Sequence, residues 1–502
     1  MYGEEKSDLL IVAAKQANNP KGAESVERRS GAKGNAEQPH MRRTQSRESM
    51  SQRLSRVREA AKQRKKERFT ALFHLLTAEA LENAFLSLSR KAAAGVDGVR
   101  WKDYAENLKV NIADLHRRLH QGSYRAQPGR RHYIPKADGK QRPLGIASLE
   151  DKIVQYALVK ILNAVYENDF MGFSYGFRPG RSQHNALDAL ATGLVRTNVN
   201  WVLDADISQF FDKVSHEWLI RFIEHRIGDQ RVIRLIRKWL TAGTSEEGEW
   251  RASEEGEWRA SEEGTPQGAV ISPLLANIYL HYVFDLWAHQ WRRRHATGNV
   301  VMVRYADDIV IGFDKRIDAQ CFRIAMQRRL KEFGLTVHPK KTRLTEFGRF
   351  AAENRASRGK GKPETFNFLG FTHISGKDRS GRFMLIRKTR RDRMTATLKA
   401  IKDGLRKRWH YSIPEQGKWL RRVVQGYLNY HSVPGNYPMM RKFRIYVTDL
   451  WRRALRRRSQ QDDTTWTKAN RLAAVWLPKV RVLHPWPVER FTARHPRQEP
   501  GA

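Results

Sequence analysis

The stretch Val303–Phe313, VRYADDIVIGF, sets two adjacent aspartates, Asp307 and Asp308, inside an otherwise apolar run. Neighbouring like charges repel, and burying either carboxylate unpaired is costly, so something positive has to be drawn to this point. With the preceding VVM, the stretch reads as two strands around a tight connection, which puts the carboxylates at the tip of a hairpin. An Asx-type turn would also tolerate aspartate there, so the pair alone does not decide its purpose.

A second segment does more. WVLDADISQFFDKVSH, residues 201–216, runs apolar and then presents Asp204, Asp206 and Asp212. Strand alternation places Asp204 and Asp206 on one side, with Asp206 where the strand gives way to a helix-like SHEWLI. Laid beside the hairpin, this strand brings Asp206 to Asp307. Three converging carboxylates suit hard divalent cations, and an all-oxygen donor set favours Mg²⁺. A pair of such ions is the machinery of in-line phosphoryl displacement.

The charge of the chain agrees with a polyanionic partner. Its 502 residues carry 93 Lys+Arg against 53 Asp+Glu, a net charge of +40, and nucleic acid is the commonest partner for such an excess. The length implies two or three domains. The single cysteine, Cys321, excludes a disulfide framework and a multi-cysteine zinc site, and fits a reducing compartment. The start, MYGEEKSDLLIVAAKQ, is acidic with only a short apolar stretch, so no signal peptide is expected, and no run is long enough to span a membrane.

Between residues 75 and 385, helical and strand periodicities alternate irregularly, which predicts an α+β core rather than a wound parallel sheet. Residues 41–70 hold 11 Lys/Arg and 3 Asp/Glu, and read as a mobile arm or a helix that orders on RNA. Met41 would serve as an alternative start, and the residues leave Met1 and Met41 both open. Residues 390–458 hold 19 Lys/Arg and 4 Asp/Glu interleaved with aromatics, a second, mostly helical basic region. The Pro- and Arg-rich tail, 461–502, is expected to be extended. The octapeptide SEEGEWRA at 245–252 recurs at 253–260, and two copies with a remnant point to a duplication within a surface loop.

YADD at 305–308 with DISQFFD at 206–212 resembles the catalytic pair of reverse transcriptases. AGVDGV (94–99), YIPKADGKQRPLGI (133–146), SYGFRPGRS (174–182), GTPQGAVISPLLANIYL (264–280), HPKKT (338–342) and FNFLGF (366–371) follow the block order of group II intron reverse transcriptases, or maturases. LRRVVQGYLNYHSVPGN (420–436) is similar to a helix of the family's domain X. The resemblance runs from about residue 75 to 450.

It implies a right-hand polymerase: a basic, partly disordered extension (1–70), fingers (71–190), a palm with an antiparallel sheet (191–380, carrying the repeat insertion 245–264), a mostly α-helical thumb and maturase domain (381–460), and the tail. Asp206, Asp307 and Asp308, with the Ile207 carbonyl, would hold two Mg²⁺ ions. Lys136 and Arg142 would grip the triphosphate of the incoming dNTP. Phe211 would lie under its sugar and exclude a 2′-hydroxyl, Gln267 would touch the nucleotide or template, and Lys341 would screen or protonate the pyrophosphate. Arg178 and Arg181 would meet template phosphates. Arg421, Arg422, Tyr427 and Tyr430 would bind RNA.

The resemblance further implies an RNA-directed DNA polymerase that copies intron RNA, assists its splicing and meets a DNA target and primer, as monomer or dimer. It would work in a bacterial cytoplasm, associated with RNA or the nucleoid. With Cys321 alone, the cysteine-paired H-N-H endonuclease of many relatives is expected to be absent. The alternatives are a splicing cofactor with an inactive polymerase, or a reverse transcriptase of retron, diversity-generating or defence lineage.

Overall fold

The structure is a computed structural model that describes residues 49–135, 141–245, 263–265, 268–458 and 464–494. Lys136, Gln267 and the octapeptide repeat beyond Ser245 lie outside the described residues, as does Met41, and of Arg142 only the backbone is described. Ten strands occur among the described residues: β1 Gly129–Pro135, β2 Gln141–Ile146, β3 Trp201–Asp206, β4 Thr244–Ser245, β5 Val300–Tyr305, β6 Asp308–Phe313, β7 Arg343–Glu346, β8 Phe366–Phe368, β9 Phe371–Lys377 and β10 Phe383–Thr389. They form three small sheets, ordered β2-β1-β4, β5-β6-β3-β7 and β10-β9-β8, and every pair but β1–β4 is antiparallel. With helices making up most of the rest, this is the α+β class.

The central sheet is apolar on both faces because both are covered. Leu203, Ala205, Ile309, Ile311 and Phe313 enter the largest core, which reaches the helices Leu149–Tyr166, His216–Glu224 and Ser272–Leu280. Val202, Val303 and Val310 enter a second core under the helix Gln183–Arg196 and strands β8 to β10. That is why the run around the two aspartates shows so little polar alternation. Alternation along β3 puts Asp204 and Asp206 on the face of Val202, in the expected manner.

The run SPLLANIYLHYVFDLWAHQWRRRH is helical throughout, but residues His281–Asp285 wind one π-turn between Ser272–Leu280 and Leu286–Arg294. Such turns re-aim the side chains around them and often sit at functional sites. Here Arg329 holds the widened turn, donating to the carbonyls of Val283 (3.1 Å) and Tyr282 (3.4 Å).

The described part of the basic arm takes the helical form of the two expected for it, while the described tail departs from the expected extended form. The arm folds into a helix, Met50–Gln63, with a Ser49/Gln52 capping box, and rests on Leu149–Tyr166. Arg226, ion-paired to Asp169 at 2.7 Å, fastens its end by donating to the carbonyls of Arg64 (3.0 Å) and Glu67 (2.6 Å). The tail is not extended over its described part. Its helix Pro487–Arg494 packs on Gln183–Arg196, where Arg490 pairs with the buried Asp188 and His484 stacks on His184 at 3.9 Å. A buried carboxylate demands cationic partners, and Arg387 (3.6 Å) and Arg490 supply them from distant parts of the chain.

A third core joins the helices Arg391–Arg406, Ile413–His431, Tyr437–Arg456 and Trp466–Trp476. Its centre is Trp451, fully buried, whose indole N–H donates to Gln416 Oε1 at 2.9 Å. Trp451→Ala is expected to cost about 3–5 kcal/mol of local stability by emptying this core. Because the core is separate from the other two, hydrogen exchange should show residues 394–477 losing protection ahead of the central sheet. Loss of protection spread evenly over all three cores would contradict their independence.

Candidate active site

The hairpin tip is built by two residues. Tyr305 pairs with Asp308, and Ala306–Asp307 make the connection, with Ala306 at φ 56°. A two-residue hairpin needs left-handed backbone in its turn, and the small Ala306 takes it. In the sheet, β6 lies directly against β3, so Asp206 stands opposite Asp308, with Asp307 on the adjoining turn. The expected meeting of distant carboxylates therefore occurs, with Asp308 rather than Asp307 as the cross-strand partner of Asp206.

The block HPKKT closes over the end of β3. His338 N–H donates to the Asp206 carbonyl at 2.7 Å, Ser208 N–H donates to Thr336 O at 2.8 Å, and Ile207 bridges Val337. This loop brings Lys341 Nζ to 2.8 Å from Asp206 Oδ2. The lysine is 62% exposed, so the pair is screened and held loosely enough to exchange partners.

Crowding shows in the proton affinities. Asp308 is open to solvent on one side, yet the protein packed around its carboxyl withdraws solvation, and Asp307 and Asp206 add repulsion, with Lys341 and Arg390 opposing; its pKa rises to about 6. Asp204, one step deeper on the same face, is pushed up to about 7, first by burial and then by Asp308 and Asp206, with Arg343 and Arg390 opposing. Among the described residues no three acidic, histidine or cysteine side chains form a ready-made cation cage. The donor set nevertheless suits a hard divalent ion, because carboxylates that repel one another across paired strand ends are relieved by such a charge.

Beneath the hairpin lies a side chain that the sequence reading passed over. Arg304, with no exposed surface, forms a doubly hydrogen-bonded ion pair with Asp285 (2.7 and 2.6 Å), equally buried. It also donates to Asn277 Oδ1 (3.1 Å), Ser174 Oγ (2.7 Å) and the carbonyl of Ala306 (3.0 Å). The last bond fixes the turn that carries Asp307. Arg304 belongs to the opening stretch itself, and an arginine inside a strand buried on both faces was the available signal. Its partner Asp285 is aimed by the π-turn, which no periodicity reveals.

SYGFRPGRS docks along β5. Tyr175 N–H donates to Arg304 O (2.8 Å) and Arg304 N–H to Phe173 O (2.9 Å). At Gly176 a Cβ would come within 2.3 Å of the Ala306 nitrogen, so only glycine permits this approach.

Several expected contacts are corrected here. Arg178 does not face a phosphate: it is 6% exposed, ion-paired to Glu167 (3.0 Å), and donates to the carbonyls of Met171 and Ser174. Arg181 is half-buried, donating to Gly172 O and Ser174 O and lying over the Tyr175 ring. Tyr427 is buried against Phe443 (3.7 Å between centroids), while Tyr430 stacks on Phe371 and donates to Leu369 O (2.8 Å), so their stacking faces are already used. Arg421 and Arg422 are exposed. Phe211 is half-buried, edge-on to Phe210 at 5.4 Å and packed on the main core, with its carbonyl accepting from Thr265 N–H (2.7 Å).

Two outcomes follow. Arg304→Met should cost about 3–5 kcal/mol in urea denaturation because it strands a buried carboxylate, and adding Asp285→Leu should recover much of that loss. A mild effect of the single change would remove the pair from the scaffold. Second, the raised carboxylates mean that the folded chain keeps protons which the unfolded chain has lost, so stability falls as pH climbs from about 4 to about 7. In divalent-free buffer, the melting temperature of Asp204→Asn or Asp308→Asn should gain on the parent across that window. A gain that is uniform at all pH would exclude these groups as its cause.

Comparison with known proteins agrees with this geometry. Residues 134–373 match the family described as reverse transcriptase (RNA-dependent DNA polymerase). Protein YkfC of Escherichia coli is 41% identical over 214 residues, 42% of this chain and 54% of that protein. The group II intron-encoded protein LtrA of Lactococcus lactis is 36% identical over 231 residues, 45% of this chain and 37% of LtrA. A 91 kDa protein in the cob intron of Schizosaccharomyces pombe is 41% identical over 180 residues, 36% of this chain and 21% of its own. The chain thus spans about half or less of the length of these relatives. The matched domain contains the Asp206–Asp308 pairing, so residues 134–373 form a reverse transcriptase domain that is similar to those of group II intron-encoded proteins.

Proposed function

We propose that the chain is an RNA-directed DNA polymerase that copies intron RNA and binds that RNA to assist its splicing. The observation that carries this reading is the register that sets Asp206 against Asp308, with Asp307 on the adjoining turn and Lys341 at 2.8 Å. Asp206, Asp307, Asp308 and the Ile207 carbonyl are the groups that would hold two Mg²⁺ ions. Bound there, the ions would supply Lewis-acid stabilisation to the attacking and leaving oxygens of nucleotidyl transfer.

The chain's own residues do the rest. Lys341 offsets the charge of Asp206 at 2.8 Å and, being 62% exposed, would be within reach of the charge of the departing pyrophosphate. Phe211, held by its edge contact to Phe210, offers a ring wall under the sugar where a 2′-hydroxyl would collide. Lys136 and Arg142, as triphosphate cations, and Gln267 beside the nucleotide rest on their motif positions. In this reading the regions 71–190, 191–380 and 381–460 act as fingers, palm and thumb.

The exposed Arg421 and Arg422 on the C-terminal helices suit RNA phosphates, and retrohoming to a DNA target would extend the same chemistry to a DNA primer. Among the described residues no helix is long and apolar enough to cross a membrane.

Replacing both Asp307 and Asp308 with alanine should abolish primer extension on an RNA template while intron RNA is still retained in filter binding. Extension by the double variant would overturn the site. Loss of RNA retention together with extension would instead assign these carboxylates to the fold.

A further inference from the structure

We infer that Phe177 is a contact for the primer–template duplex, an apolar platform beside the carboxylates that meets sugar and base faces rather than phosphates. The inference rests on the polymerase reading and extends it to a residue with no assigned role. In SYGFRPGRS the side chains of Ser174, Tyr175 and Arg178 are buried, while Phe177 is 51% exposed, a large apolar ring left in solvent. Its backbone lies in the left-handed region, φ 58°, which a residue bearing a Cβ adopts at a cost and glycine adopts freely. A strained, solvent-exposed phenylalanine serves neither the core nor the turn, and strain of this kind persists where the surroundings enforce it for a purpose.

The surroundings do enforce it. On one side Gly176 presses on the backbone of Ala306, and Asn277 Nδ2 donates to the Gly176 carbonyl at 2.7 Å. On the other, Arg178 is locked by Glu167 and two carbonyls. Between these anchors the ring can only project outward. It stands 6.3 Å from the ring of Tyr305, the residue that opens the turn bearing Asp307. On this placement, a strand presented to the carboxylates would pass close to this ring. Aromatic faces accept nucleic acid without regard to sequence, as a copying enzyme requires.

The test compares Phe177→Ala, Phe177→Gly and Phe177→Trp with the parent, using equilibrium fluorescence anisotropy on an RNA-template/DNA-primer duplex, primer extension and thermal melting. The alanine and glycine variants should bind the duplex about tenfold more weakly, the size of one lost aromatic contact. The salt dependence of binding should keep the parent's slope, because no phosphate contact is removed. Phe177→Trp should bind as the parent does. Phe177→Gly should melt no lower than the parent, since it relieves the strain, which separates contact from packing.

In extension assays the KM for duplex should rise while kcat at saturating duplex and the KM for dNTP hold. Unchanged binding in the alanine and glycine variants would overturn the inference and leave the polymerase reading standing. Weak binding that tracks a lowered melting temperature in the glycine variant would make Phe177 a packing residue. A parent chain that neither binds nor extends the duplex would overturn both.

Discussion

The ion pair between Arg304 and Asp285, both without exposed surface, is the constraint on which the rest of the site depends. Burying two charges is expensive, and such a pair returns the cost only when every donor is used. Here the guanidinium reaches Asp285, Asn277, Ser174 and the Ala306 carbonyl, so the helical run 272–294, the segment at Ser174 and the hairpin turn are tied to one planar group. The value of the pair lies in geometry more than in stability. A hydrophobic substitute would fill the space, but it would not specify the turn angle or the register of SYGFRPGRS against β5. The π-turn at His281–Asp285, held open by Arg329, is the local irregularity that puts Asp285 in reach.

Above that scaffold the chain concentrates negative charge against its own overall balance. Asp204, Asp206, Asp307 and Asp308 share one strand end and turn, and the raised proton affinities of Asp204 and Asp308 measure how poorly the folded chain alone accommodates them. Lys341, carried by a loop that bonds directly to the Asp206 carbonyl, offsets part of the repulsion. A site so arranged is poised for added positive charge, and an exposed lysine is a partner it can give up.

The basic excess also needs sorting. Arg178, Arg226, Arg304, Arg329 and Arg387 are each 6% exposed or less and brace carbonyls or carboxylates inside the molecule. Guanidinium suits this task because its planar fork satisfies several acceptors at once. A net charge of +40 therefore overstates the surface available to nucleic acid, and residues such as Arg421 and Arg422 represent that surface better than the interior arginines do. The same sorting applies to the aromatics. Tyr427 and Tyr430 stack within the protein, while Phe177 is presented outward.

The amino-acid sequence by itself determined the local order of this chain. Two-fold alternation in WVLDAD, apolar runs on either side of Asp307–Asp308, and helical spacing in the segments between them follow from side-chain chemistry within a few residues, and β3, β5, β6 and their flanking helices lie where these patterns put them. The meeting of Asp206 with the hairpin was legible too, because acidic residues that end apolar strands have few stable places to go. Tertiary structure alone decided which cations became braces, that Asp308 faces Asp206, that the tail folds back on Gln183–Arg196, and that Phe177 is held outward in a strained turn. These outcomes depend on partners tens to hundreds of residues away, such as Asp188 for Arg490 and Ser174 for Arg304. A buried charge or a close backbone approach is defined by what surrounds it, and no window of sequence contains those surroundings.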